Sequence, residues 1–274
     1  MNQAHRLGTE QHKQTGRMLR LSKDISRLTS GWEYEPDELQ VRIIAGDDRR
    51  EKLQMRIDLG LIQMEMSGRP DGTRPEGFES LLDALESQAV VAENAKQEFA
   101  LDTNICAELM REGLQYYHRY LSSFHLQRFD LVVRDTERNL RLFAFVVRYA
   151  TRQRDKLQFD HYRPYVTMMR SKAAAHLALA KNNYPDALAV VDEGIEGVRA
   201  FLRDYDRADN EAECMELGLL LRLRREIEAE RPVGPAERLE QQLNLAVALE
   251  EYEEAARLRD QLQRLKGPET SAKS

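Results

Sequence analysis

The histidines that could act as acids, bases or metal ligands are scattered along this chain. His118 and His125 are seven residues apart in a stretch of helical periodicity, so they share one face of that helix. No HExxH pattern accompanies them, and His161 and His176 lie in other segments. His161 follows Asp160, which we interpret as a helix cap. The histidines are therefore interpreted as structural side chains rather than ligands.

A dense group of charges lies between residues 134 and 141. Arginines at this density can clamp an anion or a carboxylate through paired hydrogen bonds. Mixed charges on one helix are also typical of a solvent-exposed face with ion pairs, and this second interpretation is the one we adopt. The members of the group are Arg134, Asp135, Glu137, Arg138 and Arg141.

Thiol, zinc and phosphate chemistry have no support in the sequence. Cys106 and Cys214 are far apart, lack a CxxC partner and have no basic neighbour in sequence that would activate a thiolate. A GxxxxGK[ST] phosphate loop and paired zinc-binding cysteines are both missing. We therefore predict a non-enzymatic protein with no catalytic residue, no metal and no cofactor.

The composition favours exposed helices in a protein of the reducing cytoplasm. Charged residues make up 32% of the chain, aromatic residues 7%, and glycine and proline are few. The net charge of −6 gives no general case for nucleic acid. The apolar runs are far shorter than a membrane span, and the N-terminus lacks the apolar core of a signal peptide. A cytoplasmic location without a membrane contact is expected.

Residues 1–30 form a basic arm that we expect to be partly disordered, with helix only near 18–28. The alternative is a nucleic-acid-binding arm, although aromatic residues for base stacking are missing. Its basic residues are Arg6, Lys13, Arg17, Arg20, Lys23 and Arg27.

Residues 31–75 are predicted to form a small β element. Val41 and Ile43 alternate with polar residues before a turn at Gly46, and apolar residues then alternate from Leu53 onwards. The alternation slips at Gly60, which suggests a bulge or a bend between two paired strands. A helix over 53–66 is the alternative, because positions 53, 57, 61 and 64 also share a helical face.

Residues 76–230 are predicted to be a helical-repeat domain. Asp102 or Thr103 can cap one helix, and a later helix is expected to begin at Asp160 with Pro164 in its first turn. That helix should stop at Asn182–Asn183, and Pro185 can open the next one. The last helix of the domain is predicted over 211–230, and residues 231–236 form a linker rich in proline and glycine.

Two stretches of this domain resemble tetratricopeptide repeats. Small residues such as Ala174, Ala175 and Gly194 lie where paired helices would touch, Tyr120 and Phe129 lie at corresponding offsets in the earlier stretch, and Phe129 and Tyr184 are the aromatic residues at the two helix starts. The two units are about 55 residues apart rather than the usual 34 or so, which requires a long insertion. The resemblance implies a body of antiparallel helix pairs within a mainly α protein.

The C-terminal residues 237–267 read as two short amphipathic helices, followed by a disordered tail at 268–274. On the first helix Val247 belongs to one apolar stripe, while Leu245 and Leu249 point elsewhere. Apolar residues on the second helix follow the spacing of a coiled-coil seam. The stripe is Leu239, Leu243, Ala246 and Val247, and the seam is Ala255, Leu258, Leu262 and Leu265. Glu253 with Arg257 and Asp260 with Arg264 have the spacing of helical ion pairs.

The run EYEEAARLRD within this segment resembles the UVR motif, the helical hairpin of the excision-repair proteins UvrB and UvrC. The resemblance implies docking to a protein partner, including a like hairpin or a second copy of the chain, and a link to excision repair or to the regulation of stress proteases. We therefore predict a protein–protein adaptor, with nucleic-acid binding by the basic arm and a dimerising hairpin as the alternative. The predicted partner-binding residues are Leu245, Leu249, Tyr252, Ala255, Ala256, Leu258, Arg259 and Leu262.

Overall fold

The computed structural model describes residues 24–232 and 234–266. These residues are mainly helical, with one small antiparallel sheet near the N-terminus and a helix pair at the C-terminus, as predicted. The chain divides into two compact units, residues 1–67 and residues 68–274. Most of the predicted basic arm and all of the predicted C-terminal tail lie outside the described residues, so nucleic-acid binding by the arm stays a prediction.

The first unit contains a three-stranded antiparallel sheet, one strand more than the predicted pair. A single helical turn, α1 (Ser26–Thr29), precedes it. The slip at Gly60 marks a reversal of the chain rather than a bulge, because Ile57 pairs with Gly60 across a two-residue turn. Strands are therefore the correct interpretation of 53–66. The strands are β1 (Val41–Ala45), β2 (Glu51–Ile57) and β3 (Gly60–Glu65), in the order β1-β2-β3.

A buried lysine is paired on this sheet. Lys52 on β2 contacts the carboxylates of Asp48 and Glu65, and its Nζ lies 2.8 Å from Asp48 Oδ2. The hydrogen bond from Lys52 holds the pKa of Asp48 well below its usual range. The ammonium group is thus compensated at the sheet, as a buried charge requires.

The second unit begins with a helical body whose long helices pack in chain order. The helices are α2 (Leu81–Asn94), α3 (Thr103–His125), α4 (Phe129–Tyr149), α5 (Gln153–Asp160), α6 (Arg163–Leu179), α7 (Tyr184–Asp204) and α8 (Met215–Glu230). α3 packs on α4, α4 on α6, α6 on α7, and α7 on α8. The three residues between α3 and α4, with Gln127 in the left-handed conformation, form a short connection that favours an antiparallel pair.

Most predicted helix boundaries follow from local chemistry. Asp102 caps α3 by accepting from the backbone N–H of Ile105 at 2.8 Å, and Asn183 caps α7. Pro164 and Pro185 lie in the first turns of α6 and α7, where their missing N–H groups cost little. The last helix of the helical body, α8, begins at Met215 after a 3₁₀ turn over 208–213, rather than at residue 211 as predicted.

The prediction that Asp160 begins a helix is wrong. Asp160 ends α5, and α6 starts three residues later. Its carboxylate is largely buried and accepts hydrogen bonds from Arg163 at 2.9 Å and from the hydroxyl of Tyr205 at 2.7 Å. Asp160 therefore fixes the start of α6 and the end of α7 through side-chain contacts rather than through capping.

Small residues allow α6 and α7 to approach closely, as predicted. A Cβ atom at Gly194 would lie 2.2 Å from Ser171 Oγ, so a larger residue there would force the helices apart. Of the two predicted alanines on α6, Ala175 is fully buried and Ala174 is half-buried. The short helix α5 lies between α4 and α6 in the chain and lengthens the spacing of the two repeat-like stretches.

The chain ends in a helical hairpin made of α9 (Pro235–Ala248) and α10 (Tyr252–Lys266). Pro235, which we assigned to the linker, lies in the first turn of α9. The hairpin has its own apolar cluster, separate from the main core of the helical body. No helix of the described residues is both long and apolar enough to cross a membrane.

Candidate protein-interaction site

The hairpin reverses direction over three residues, Leu249 to Glu251. Glu250 adopts the left-handed conformation with φ of 60°. The N–H of Glu251 then donates to the carbonyl of Ala246 at 2.8 Å, which satisfies an acceptor at the end of α9. α10 starts at once, because the N–H of Ala255 donates to the carbonyl of Glu251 at 2.9 Å. The tight turn forces α9 and α10 to run side by side.

The interior of the hairpin is small. Ala246, Ala255 and Leu258 are buried, with Leu239 and Leu243 packed around them. The alanines allow the two helix backbones to approach closely. Of the predicted partner-binding residues, Ala255 and Leu258 are therefore covered by the hairpin itself, and Leu262 is half-buried.

The other face of the hairpin carries exposed apolar side chains around the turn. Leu245 is 60% exposed, Leu249 59% and Tyr252 68%. Leu245 and Leu249 are one helical turn apart and point away from the interior, as predicted. Val247 and Leu265 are also exposed, although the sequence placed Val247 on the packed stripe and Leu265 on the seam. The small interior cannot cover a second face.

Charges are distributed unevenly along the hairpin. The turn and the first residues of α10 carry Glu250, Glu251, Glu253 and Glu254, and the predicted contact Arg259 is exposed further along α10. Ala256 is exposed between the two groups. The ion pairs differ from those predicted: Arg257 contacts Glu254 at 2.8 Å and Arg259 contacts Asp260 at 3.2 Å. The exposed surface is thus acidic at the turn and basic toward the C-terminal half of α10.

The charged group on α4 is the second candidate site, and half of our interpretation of it is wrong. Arg134, Glu137 and Arg141 are exposed as predicted, but Asp135 and Arg138 are buried. They face the helical body because α4 packs against α3 along this side, and their charges are compensated there by residues from α3.

Two residues of α3, Glu112 and Arg119, complete this buried network. Arg119 donates two hydrogen bonds to Asp135, at 2.7 and 2.9 Å, with both side chains out of solvent. Glu112 accepts from Arg138 and from the backbone N–H groups of Leu81 and Leu82 at the start of α2. The arginines thus already bind carboxylates of this chain, and the network fixes α2, α3 and α4 together.

Sequence reasoning missed Glu112 and Arg119, although a signal was present. The two charges are seven residues apart on the apolar stripe of α3, between the buried residues Leu109 and Tyr120. Opposite charges on an apolar stripe indicate buried partners on a neighbouring helix. The carboxylates and guanidinium groups of this network have the geometry of a structural clamp.

His118 and His176 are half-buried, whereas His125 and His161 are exposed; Cys106 is buried and Cys214 half-buried. The His176 ring stacks on Phe129 with centroids 4.5 Å apart, and burial lowers the pKa of both His176 and His118. Burial raises the pKa of the Cys106 thiol to about 11 and also raises that of Cys214, so neither is an activated thiolate. Within residues 24–232 and 234–266, no group of three or more histidine, cysteine or carboxylate side chains could hold a metal ion.

Comparison with known proteins agrees with the hairpin as the recognisable site. No curated protein and no solved structure significantly matches the chain. One family model does match, and it covers residues 235–267, the two helices α9 and α10. The C-terminal hairpin of this chain carries a UvrB/uvrC (UVR) motif.

Proposed function

We propose that this protein is a non-enzymatic adaptor that docks a protein partner through its UVR hairpin. The observation that carries the proposal is the exposure of Leu245, Leu249 and Tyr252 on a motif associated with protein interactions. Covering each leucine would stabilise a complex by roughly 1–2 kcal/mol, since about 60% of the side chain is still in contact with water. Clusters of exposed apolar side chains with a polar rim are typical of interaction surfaces.

The charge distribution suggests the form of the partner. A second helical hairpin lying antiparallel would bring its basic half against the acidic turn of this one, and the reverse at the other end. Glu253 and Arg259 are both exposed on α10 and would form such reciprocal pairs. The partner is therefore another UVR-type hairpin, on a protein of excision repair or stress-protease regulation or on a second copy of this chain.

The test compares two double variants of the full chain. Leu245→Asp with Leu249→Asp places charge in the surface and should abolish specific capture in affinity purification followed by mass spectrometry. Val90→Asp with Val91→Asp changes two equally exposed apolar residues of α2 and should leave capture unchanged.

Sedimentation of the purified chain shows whether the partner hairpin belongs to a second copy of this chain or to another protein. A dimer that dissociates in the Leu245→Asp, Leu249→Asp variant identifies a second copy as the partner. A monomer whose captured protein is lost only in that variant identifies another protein. Equal capture by both double variants, with a monomer in solution, would refute docking through this surface.

A further inference from the structure

A cavity of about 580 Å³ opens between α3, α4, α5 and α6 of the helical body. Its floor is made of the buried side chains Tyr120, Phe143, Phe159 and Val166. The half-buried ring of Tyr117 forms part of the wall. The volume is within the range of pockets that take a small organic molecule. The helix α5, which lies between α4 and α6 in the chain, contributes Gln158 and Phe159 to the lining.

The chemistry of the lining limits what can enter. Among the described residues no charged side chain lines the cavity, so a phosphate, carboxylate or ammonium group would lose its hydration without gaining a counter-charge. Aromatic rings dominate the surface, and Phe143 and Phe159 lie edge-to-face with centroids 6.2 Å apart. Flat aromatic groups pack on such rings with favourable geometry.

One polar group in the floor is suited to bind a ligand. The Tyr120 side chain is 1% exposed and lines the cavity, and its hydroxyl is not among the fully buried polar atoms that lack a hydrogen-bond partner. A buried phenol usually forms a hydrogen bond, and a ligand in the cavity can provide one. Burial raises the pKa of Tyr120 and of the neighbouring Tyr165, so both hydroxyls stay protonated and can donate. In contrast, the amide of Asn139 is already bound to Gly113 and Arg138.

We propose that this cavity binds a neutral aromatic small molecule whose hydrogen-bond acceptor is bound by the hydroxyl of Tyr120. The ligand enters past Leu114 and Tyr162, which are exposed at the mouth. The site is separate from the UVR hairpin and does not depend on the proposed docking.

The first experiment titrates the full chain with two fluorescent probes that share one ring system. N-phenyl-1-naphthylamine is neutral, and 8-anilinonaphthalene-1-sulfonate adds an anionic group. We expect saturable binding of one neutral probe per chain and at least about tenfold weaker binding of the sulfonate, because the cavity offers it no counter-charge. Absence of saturable binding, or equal affinity for the two probes, would overturn the proposal.

Variants locate the bound probe. Val166→Trp fills the floor and should weaken N-phenyl-1-naphthylamine about tenfold or more. Because a larger core residue can impair folding, Leu114→Ser with Tyr162→Ser tests the exposed mouth and should weaken it several-fold. Val90→Ser with Val91→Ser on α2 is the matched control and should change nothing. Binding that survives both the floor and the mouth variants would place the probe elsewhere.

Competition tests the hydrogen bond and the preference for rings. 1-Naphthol should displace the probe better than naphthalene does, and Tyr120→Phe, which removes one oxygen, should weaken 1-naphthol up to about tenfold without affecting naphthalene. An unchanged 1-naphthol affinity in Tyr120→Phe would contradict the assigned hydrogen bond. Displacement by 1-decanol at lower concentration than by 1-naphthol would contradict an aromatic ligand.

Discussion

The helical body and the terminal hairpin both bury apolar side chains between helices, but the body buries far more of them. The body buries a continuous core that runs from Leu82 to Ile227 and encloses paired charges between α3 and α4. The hairpin buries three side chains, two of them alanines. It leaves Leu245, Leu249 and Tyr252 exposed. The body therefore covers most of its apolar residues itself, whereas the hairpin leaves much of its apolar surface exposed.

The difference has an energetic reason. Isolated helices of about 15 residues are marginal in water, and pairing two of them through alanines adds little buried area. A hairpin with such a small core should open more often than the body does. A partner that binds only the closed hairpin would then add to its stability by mass action. The exposed apolar surface and the weak core of the hairpin thus have the same cause, the small residues between α9 and α10.

The largest effect is expected in the buried network of the body. Glu112→Ala removes the carboxylate from Arg138 and from the first N–H groups of α2. An uncompensated buried charge should lower the free energy of unfolding by about 3–5 kcal/mol, measured by urea denaturation. Glu137→Ala, which removes an exposed contact to Arg170, is the control and should cost less than about 1 kcal/mol. Equal losses in both variants would show that burial does not distinguish the two contacts.

The second prediction separates the two cores. Leu142→Ala in the body and Leu258→Ala in the hairpin remove equal side chains from buried positions, each at a cost of about 2–5 kcal/mol. The first should lower the global unfolding transition. The second should open only the hairpin, so amides of 237–265 should exchange rapidly in hydrogen-exchange measurements while those of α4 stay protected. A matching loss of protection in α4 would mean that both regions unfold as one unit.

The third prediction concerns the pH dependence of the body. The pKa values of His118 and His176 are lowered mainly by burial, with Lys172 adding to the effect at His176. The unfolded chain therefore takes up protons first, and stability should fall as the pH drops below about 6.5. The expected loss is small, because both rings are only partly buried. His176→Phe should make the unfolding free energy less dependent on pH between 5 and 7, and an unchanged slope would exclude His176 as a source.

Sequence periodicity was sufficient to predict the helices and strands, but not the turns and side-chain contacts that connect them. The cap Asp102 and the prolines that open α6 and α7 act within a few residues, so their roles could be predicted. Asn183, which was predicted only as a helix stop, also caps α7. The reversal at Gly60 depends on which strands pair, and a bulge gives the same slip in the pattern. The sequence predicted a capping role for Asp160, because an aspartate before a helix is usually a cap. Its contact with Tyr205 forms only in the folded body, so the sequence could not show it.

The candidate sites show the same limit. The outward direction of Leu245 and Leu249 follows from helical spacing alone, and the structure agrees with it. The pairing of Glu112 with Arg138 joins residues 26 positions apart on two helices, which spacing within one helix cannot show. The cavity is more difficult to predict from the sequence, because its lining comes from four helices, α3, α4, α5 and α6.

The smallest effect should come from an ion pair on the hairpin, and it completes the contrast with the body. Arg257 lies 2.8 Å from Glu254, one turn away on α10, but the Arg257 side chain is largely exposed and that of Glu254 partly exposed. Water and salt screen the pair, so Arg257→Ala should change the stability of the hairpin by only a few tenths of a kcal/mol, measured by hydrogen exchange of α10 amides. Arg257→Lys, which keeps the charge, is the control. A loss above about 1 kcal/mol in Arg257→Ala would mean that this arginine is held by more than Glu254, as Arg138 is held in the body by Glu112, Asn139 and the Tyr116 ring.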